Sequence, residues 1–289
     1  MPYVYLALSV FLSASSSVLG KLFNKGSEGK KASGAFYNFL MLSCVFLCWG
    51  GLYVTDFSFE APVLFYSVLF AVSYTVCNIG IINALKHGPA ALTSLFVGLA
   101  LIVTTIWGFF FWDAPVTLPV VIGLVLVSVS IYLCLCGKGK TEEKSFSWKW
   151  LLFAILSLVG NAGCSIVQRT QQVQYGGAHG SMLMFFATGL SAIVYLVIFL
   201  RSDKTDAPVL LRRGWWPPVT AGACNVGLNL LVMLMATSTL SPSLIYPVIG
   251  VGGLMIVTLF SLLVFREKMT VRQWIGVAIG AVAVALLSI

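Results

Sequence analysis

The chain of 289 residues carries one hydrophobic pattern twice, and this duplication restricts its possible folds more than any other feature of the sequence. The segment from Gly88 to Gly123 matches the segment from Ser241 to Gly276 at a constant separation of 153 positions. The pairs that carry this match are Pro89 with Pro242, Leu101 with Leu254, Thr105 with Thr258, Thr117 with Thr270 and Ile122 with Ile275. Two copies of one hydrophobic pattern predict two similar units that pack against each other.

A second match, earlier in the chain, has a separation of 148 positions. It aligns Ser9 with Ser157, Ala14 with Ala162, Ser17 with Ser165, Lys21 with Arg169, Ser33 with Ser181 and Ser43 with Ser191. A longer loop around Arg201 to Arg213 would account for the difference between the two separations. Many secondary transporters consist of two hydrophobic repeats, with the substrate site between them near the middle of the membrane.

The composition indicates a polytopic membrane protein. Hydrophobic residues make up 59% of the chain and charged residues only 9%, whereas a soluble domain has about 25% charged residues. Ten apolar segments have the length of about 20 residues that a helix needs to cross a bilayer. The predicted spans 1 to 10 are Tyr3–Gly20, Gly34–Val54, Pro62–Leu85, Ala90–Phe111, Val116–Cys136, Trp148–Gln168, Ser181–Leu200, Trp216–Met235, Ser243–Phe265 and Val271–Ser288.

The basic residues predict the topology. Sixteen of the 17 lie in or beside the loops after spans 1, 3, 5, 7 and 9, and Arg169 alone lies on the other side. The positive-inside rule then places both termini outside a cell membrane. The net charge of +8 is therefore assigned to topology, and no nucleic-acid partner is expected.

The predicted fold is an all-α integral membrane protein with ten transmembrane helices in two inverted five-helix repeats. Five helices per repeat is an odd number, so the second copy enters the membrane in the opposite orientation. We predict residues 1–138 as the first repeat, 139–147 as a polar connecting loop and 148–289 as the second repeat.

Polar side chains inside the predicted spans are the candidate substrate-binding residues. A polar group in hydrocarbon is costly unless it has a partner or lines a hydrated cavity. For each candidate the alternative is close helix packing or an interhelical hydrogen bond. The candidates are Ser13, Ser17, Tyr74, Asn78, Asn161, Gln168, Asn225, Asn229 and Tyr246.

Three further residues are candidates for gating or charge recognition. Pro247 removes a backbone donor within span 9 and frees carbonyl groups one turn earlier, beside Tyr246; the alternative is a simple kink. Lys21 and Arg169 occupy equivalent positions in the two repeats and could hold the acidic end of a substrate. The alternative for both is a side chain that extends to the membrane interface.

Missing residue types narrow the mechanism. No Asp or Glu lies inside a predicted span, which argues against a cation antiporter driven by a carboxylate and leaves uniport, exchange or coupling through an edge group open. No catalytic motif or metal-ligand cluster is present, and the seven cysteines fit no zinc or disulfide framework. We therefore expect no enzyme, no cofactor and no metal.

The end of each repeat resembles a known family. The second copy has Ser241-Pro242-Ser243-Leu244-Ile245-Tyr246-Pro247, then Phe265-Arg266-Glu267-Lys268-Met269-Thr270, Gln273, Gly276 and Gly280. The first copy has Gly88-Pro89-Ala90, Trp112-Asp113-Ala114, Thr117 and Gly123, with Ala114 in place of the Glu and Ser94 in place of the inner Pro. These features resemble the EamA-type members of the drug/metabolite transporter superfamily.

The resemblance implies alternating access, with two bundles rocking around a central cavity, and a small metabolite or drug-like substrate. We expect spans 1, 3, 4, 6, 8 and 9 to line that cavity. The predicted function is secondary transport of a neutral or zwitterionic solute across the lipid bilayer, by a monomer or a homodimer. The alternatives are a non-transporting membrane protein, receptor-like or an assembly subunit, and an ion or water channel on the same fold.

Overall fold

The computed structural model describes residues 2–27, 29–87, 90–114, 116–136, 147–263 and 270–287, and within these ranges the regular structure is α-helical. The helices are α1 Pro2–Gly26, α2 Ser33–Thr55, α3 Ala61–His87, α4 Ala90–Phe111, α5 Leu118–Cys136, α6 Trp148–Gln174, α7 Gly180–Arg201, α8 Ala207–Arg213, α9 Trp216–Ala236, α10 Pro242–Leu263 and α11 Val271–Leu287. The predicted motifs at Gly88-Pro89 and Phe265–Met269, the acidic residues Glu28, Glu142 and Glu143, and nearly all of the predicted connecting loop 139–147 lie outside the described residues.

Ten of these helices correspond to the ten predicted spans. Six, namely α1, α2, α3, α6, α7 and α9, are long and apolar enough to cross a membrane, and α4, α5, α10 and α11 contain shorter apolar helices. The prediction of an all-α membrane protein is confirmed. The remaining helix, α8, matches no predicted span. It has seven residues and lies in the loop that the two repeat separations predicted to be longer.

Two predicted boundaries are wrong by nearly two turns: α1 continues to Gly26 instead of ending at Gly20, and α6 continues beyond Gln168. The polar run after Gln168 suggested the end of span 6, but α6 continues to Gln174. Gln171 and Gln172 are almost fully buried. The Gln171 amide donates to the carbonyl of Ala178 at 3.0 Å, and the Gln172 amide donates to Gln171 at 2.5 Å. These side chains satisfy one another inside the protein, so the helix does not need to end where its sequence becomes polar.

The helix packing has an approximate two-fold symmetry that exchanges the repeats. α3 packs on α6 as α9 packs on α1, α4 packs on α6 as α10 packs on α1, and α3 packs on α7 as α9 packs on α2. α2 packs on its own counterpart α7, and α5 on its counterpart α11. Most of these contacts join one repeat to the other, so the two repeats form one shared core.

Successive helix connections lie alternately at the two ends of the bundle. We call the end with the α1–α2, α3–α4, α5–α6, α7–α9 and α10–α11 connections the basic face, and the other end the opposite face. On the basic face the Lys31 ammonium contacts the Asp203 carboxylate at 2.7 Å, and the Lys31 backbone amide donates to Asp206 at 2.9 Å. The Lys31 ammonium lowers the pKa of Asp203, and the carboxylate in turn raises the pKa of Lys31.

Candidate functional site

A cavity of about 270 Å³ lies between α1, α2, α3, α6, α7, α9 and α10, and so between the two repeats. Seven of the nine predicted substrate-binding residues line it: Ser13, Tyr74, Asn161, Gln168, Asn225, Asn229 and Tyr246. No charged side chain lines it among the described residues. Apolar groups, including Phe70 and Met184, complete the wall. The described cavity wall is therefore uncharged and combines amide and hydroxyl groups with a larger apolar surface.

A chain of three amides joins α6 to α9 in this cavity. The Gln168 amide nitrogen donates to the side-chain oxygen of Asn229 at 3.1 Å. The Asn229 amide nitrogen in turn donates to the side-chain oxygen of Asn225 at 3.0 Å and to its backbone carbonyl at 2.9 Å. Within the described part of the chain this leaves the Gln168 side-chain oxygen as an acceptor and the Asn225 amide nitrogen as a donor. The chain can therefore accept from and donate to a bound solute.

Asn161 and Tyr246 each donate a hydrogen bond from the cavity wall to the backbone of a neighbouring helix. The Asn161 amide donates to the backbone carbonyl of Val97 in α4 at 3.1 Å. The Tyr246 hydroxyl donates to the backbone carbonyl of Ser165 in α6 at 3.4 Å, a long hydrogen bond. Asn161 therefore bridges the repeats, since α4 belongs to the first and α6 to the second, whereas Tyr246 joins two helices of the second repeat. A change in how the repeats pack would change the Asn161 contact.

The other two predicted substrate-binding residues, Ser17 and Asn78, are not among the cavity-lining residues. The Ser17 hydroxyl donates to the carbonyl of Ser13 at 3.0 Å, and its side chain is exposed. The Asn78 amide donates to the backbone carbonyl of Tyr74 at 3.0 Å. Each side chain bonds within its own helix, one turn back. Asn78 lies next to a cavity residue, whereas Ser17 lies one turn beyond the cavity toward the basic face.

The three predicted gating or charge-recognition residues occupy different places. Pro247 is buried within α10, next to Tyr246. Lys21 is partly buried near the end of α1, one turn beyond Ser17 and away from the cavity. Arg169 lies near the end of α6 beside Gln168, on the side of the opposite face. The two repeat-related cations therefore lie toward opposite ends of the bundle.

Arg169 is buried inside the protein, whereas the alternative interpretation expected its side chain to extend outward. Only 7% of its surface is exposed. Its guanidinium carbon lies 5.2 Å from the centre of the Trp112 ring, and the guanidinium interacts with the Tyr246 hydroxyl. Its Nε and Nη1 atoms are buried and have no hydrogen-bond partner among the described residues. Tyr246 therefore links this buried cation to the cavity.

Sequence reasoning missed α2 and α7 as walls of the cavity. Leu42 and Val45 of α2, and Met184, Thr188 and Ser191 of α7, line it. The spacing of Thr188 and Ser191 was the available signal, because residues three apart share a helix face. Span 4 was expected to line the cavity, but no described side chain of α4 does so; α4 contributes the backbone carbonyl of Val97 instead.

Each of the two halves of the chain matches the same protein family. The model of the family described as EamA-like transporter family matches residues 1–136 and again residues 148–289. The chain belongs to the EamA-like transporter family. It is therefore a membrane protein of the transporter type, and the family resemblance predicted from the ends of the repeats is confirmed.

Two curated relatives match a part of this EamA protein. One is the probable 4-amino-4-deoxy-L-arabinose-phosphoundecaprenol flippase subunit ArnE of Pseudomonas fluorescens, 31% identical over 112 residues. The other is the uncharacterized protein y4nH of Sinorhizobium fredii, 26% identical over 109 residues. The matches cover 95% and 93% of these relatives but 37% of this chain. Both relatives therefore have about the length of one repeat.

A solved crystal structure shares the fold over nearly the whole chain. It superposes with a TM-score of 0.75 and covers 99% of this chain and 95% of its own. The sequence identity is 12%, so the likeness concerns the fold alone.

Proposed function

We propose that this protein is a secondary transporter that moves a small polar solute through the cavity between its two repeats. The observation that carries the proposal is the position of seven polar cavity residues at the interface of two inverted repeats. In transporters built from such repeats, the substrate site lies between them and the repeats change their mutual packing. We assign substrate binding to the seven lining residues, and to Asn78 and Ser17 a supporting role beside them.

Alternating access is the proposed mechanism. Repeats of opposite orientation can pack in two equivalent ways, and exchanging these packings moves the opening of the cavity from one face to the other. Pro247 leaves a break in the hydrogen-bond ladder of α10 one turn from its start. We propose this break as the hinge that lets Tyr246 move relative to α6.

A neutral or zwitterionic solute fits the cavity best. Transferring an ion into low-dielectric surroundings is costly without a partner of opposite charge. The described lining holds amides and hydroxyls but no charged side chain, and an amide can donate and accept hydrogen bonds at one place. A volume of about 270 Å³ suits a metabolite of roughly the size of an amino acid or a sugar.

We propose a cell-membrane location with both termini outside, which places the basic face in the cytoplasm. The observation behind this proposal is the concentration of basic residues in the loops of one face. Thiol labelling of single cysteines at Tyr3 and at Lys204, in a cysteine-free background, tests it in intact cells. A membrane-impermeant reagent should modify the cysteine at position 3 and not the one at position 204.

Counterflow in proteoliposomes tests the transport function. Purified protein is reconstituted, the vesicles are loaded with unlabelled solute, and uptake of the labelled solute is followed for a panel of amino acids, sugars and nucleosides. A carrier gives uptake that is stimulated by solute on the far side. Uptake without that stimulation indicates a channel, and no uptake of any solute indicates a receptor-like or assembly protein.

A second candidate function is the flipping of a lipid-linked solute. An apolar groove of about 590 Å³ lies between the outer faces of α2 and α7, lined by Phe39, Phe46, Phe185 and Phe186. The inner faces of the same two helices line the cavity. A lipid chain in the groove and its polar group in the cavity would fit this arrangement, and one relative is named as a flippase subunit. Translocation of a fluorescent lipid with no counterflow of soluble solutes would favour this candidate.

A further inference from the structure

We infer that Arg169 is a specificity-determining residue that binds an anionic oxygen group of the transported solute. This inference rests on the proposed transport function and revises its solute class: the solute carries an anionic group, so it is zwitterionic or anionic rather than neutral. The chemistry required is a carboxylate or a phosphate, presented by a soluble metabolite or by a lipid-linked one.

Arg169 carries a buried charge that no described side chain of opposite charge compensates. Arg169 is 93% buried, and neither its Nε nor its Nη1 atom has a hydrogen-bond partner among the described residues. A guanidinium stays ionised in proteins, and a buried ion without a counter-charge costs several kcal/mol in general. Retaining such a cation is understandable if a ligand supplies the missing negative charge.

The described residues supply no carboxylate partner for Arg169. On the opposite face, the described carboxylates lie in or beside the α2–α3 and α4–α5 connections. They are Asp56, Glu60 and Asp113, and all three are exposed or half-exposed. The described structure places the Trp112 ring and the Tyr246 hydroxyl beside the Arg169 guanidinium, and neither carries a negative charge. A phenol is a neutral partner and does not compensate a full positive charge.

Trp112 and Tyr246 surround the Arg169 guanidinium in a way that suits an anion. Trp112 covers one face of it at 5.2 Å, an arrangement that holds a cation while its edge stays available for hydrogen bonds. The edge of a guanidinium is the part that binds carboxylate and phosphate through two parallel hydrogen bonds. Tyr246 contacts Arg169 and also lines the cavity, so a solute in the cavity lies one side chain away.

A buried hydroxyl on the same helix face supports the same inference. Ser243 lies one turn before Tyr246 on α10, and residues three apart share a helix face. Its side chain is 1% exposed, and its hydroxyl has no partner among the described residues. Ser243 therefore adds a buried hydroxyl without a partner one turn from Tyr246, the residue that interacts with Arg169.

The experiment measures the melting temperature of the purified full-length protein in detergent at pH 7. Sodium chloride, sodium acetate and sodium phosphate are compared at one ionic strength, so that screening is constant. The variants are Arg169→Gln, Arg169→Lys and, as the matched control, Arg201→Gln, which removes an exposed arginine at the end of α7. A ligand that binds the folded state raises the melting temperature.

We expect phosphate or acetate to raise the melting temperature of the wild type and of Arg201→Gln by about 2–4 °C over chloride. Arg169→Gln should show no such rise and should melt in chloride at or above the wild-type temperature, because an unpaired buried charge is gone. Arg169→Lys should show a smaller rise, since it keeps the charge but loses the paired donors.

Three results would overturn the inference: no specific rise in the wild type, the same rise in Arg169→Gln, or an Arg169→Gln protein that melts well below the wild type in chloride. The last result would mean that the arginine holds the fold. Glycerol 3-phosphate compared with dihexanoyl phosphatidic acid separates a soluble from a lipid-borne group. If counterflow is observed but no anion raises the melting temperature, this inference is rejected and the transport function is kept. If an anion raises the melting temperature through Arg169 but no counterflow is observed, the transport function alone is rejected.

Discussion

Gly160 of α6 lies directly against the backbone of Cys77 in α3. A Cβ atom at position 160 would be 2.5 Å from the Cys77 amide nitrogen and 2.6 Å from the carbonyl oxygen of Ser73. The relationship is reciprocal, because a Cβ atom at Gly80 of α3 would be 2.7 Å from the amide nitrogen of Ser157 in α6. The two helices therefore touch backbone to backbone, and this contact sets the distance between cavity residues on α3 and α6.

We expect Gly160→Ala to lower the free energy of unfolding by at least about 1–3 kcal/mol, the usual cost of overpacking. The methyl group meets backbone atoms of α3, which cannot move aside as a flexible side chain can. The melting temperature in detergent and the yield of folded protein measure the effect.

The matched control is Gly51→Ala in α2, because a Cβ atom at position 51 has no heavy atom within 4 Å. Alanine favours the helix over glycine by about 1 kcal/mol, so this variant should melt at or slightly above the wild-type temperature. Equal melting temperatures for the two alanine variants would contradict the backbone contact between α3 and α6.

Asn229→Ala should weaken solute binding about five-fold. The amide of Asn229 accepts from Gln168 and donates to Asn225, so its removal disconnects the amide chain that spans the cavity. Loss of one net hydrogen bond costs about 1 kcal/mol, which corresponds to about a five-fold change in affinity. The half-saturating solute concentration in counterflow measures it.

Asn83→Ala is the control for this prediction. Asn83 also donates to the carbonyl one turn back, that of Ile79 at 2.9 Å, but it does not line the cavity. Its replacement should leave counterflow unchanged. An equal loss of affinity in both variants would indicate a general effect on helix packing rather than on a binding site.

Pro247→Ala should stabilise the protein and slow the exchange of solute. A proline inside a helix destabilises it by about 3 kcal/mol relative to alanine. Alanine at position 247 restores a backbone amide that can donate a helical hydrogen bond, so the variant should gain part of this free energy. If α10 bends at this place during transport, a regular helix resists the bend. Initial rates of counterflow and melting temperatures, taken together, separate the two effects.

Pro62→Ala serves as the control, because Pro62 is the second residue of α3, where a proline removes no helical hydrogen bond, and its side chain is exposed. Its counterflow rate should equal that of the wild type. A Pro247→Ala protein that transports at the wild-type rate would reject the hinge.

The ion pair between Lys31 and Asp203 should make a small contribution to stability that depends on pH. Because the pKa of Asp203 is lowered in the folded protein, its contribution is present above the unfolded value of about 4 and is lost as the pH falls through the folded value. Because the pKa of Lys31 is raised, its contribution is present below about 10.4 and is lost as the pH rises through the folded value.

The difference in melting temperature between the wild type and Asp203→Asn measures this contribution. It should be constant between about pH 5 and pH 9, shrink below about pH 4, and decrease at high salt because both side chains are exposed. A difference that instead grows on acidification would reject the assignment. Lys31→Met should reduce the difference between Asp203 and Asn, and the part that remains comes from the two hydrogen bonds that Thr205 donates to Asp203.

The sequence indicated seven of the lining residues because polarity within a hydrophobic segment is itself a signal. Asn161, Gln168 and Asn229 are costly in hydrocarbon, and such residues are placed where a partner or a cavity satisfies them. Leu42, Val45 and Met184 line the same cavity but carry no such signal, since an apolar side chain is equally suited to lipid, core or cavity. Sequence reasoning therefore found seven polar residues of the wall and missed the walls formed by α2 and α7, including the hydroxyl groups of Thr188 and Ser191.

Arg169 illustrates the same division. Its position as a lone base on one side of the membrane was evident from the sequence, and two interpretations remained, the interface and the interior. Its burial beneath Trp112 was not evident, because Trp112 follows α4, 57 positions earlier in the chain, and only packing brings the two together.

The sequence by itself determined the membrane class, the ten spans, the duplication and the opposite orientation of the repeats. These follow from hydrophobic length, charge and periodicity, which are properties of each segment alone. The tertiary structure decided which helices face the cavity, how Gln168, Asn229 and Asn225 connect, and that α6 runs on to Gln174. The cavity wall depends on contacts between distant segments, such as Gln168 with Asn229, 61 positions apart, and a local pattern holds no information about its distant partner. The end of α6 depends on the burial of Gln171 and Gln172, which only the packed structure shows.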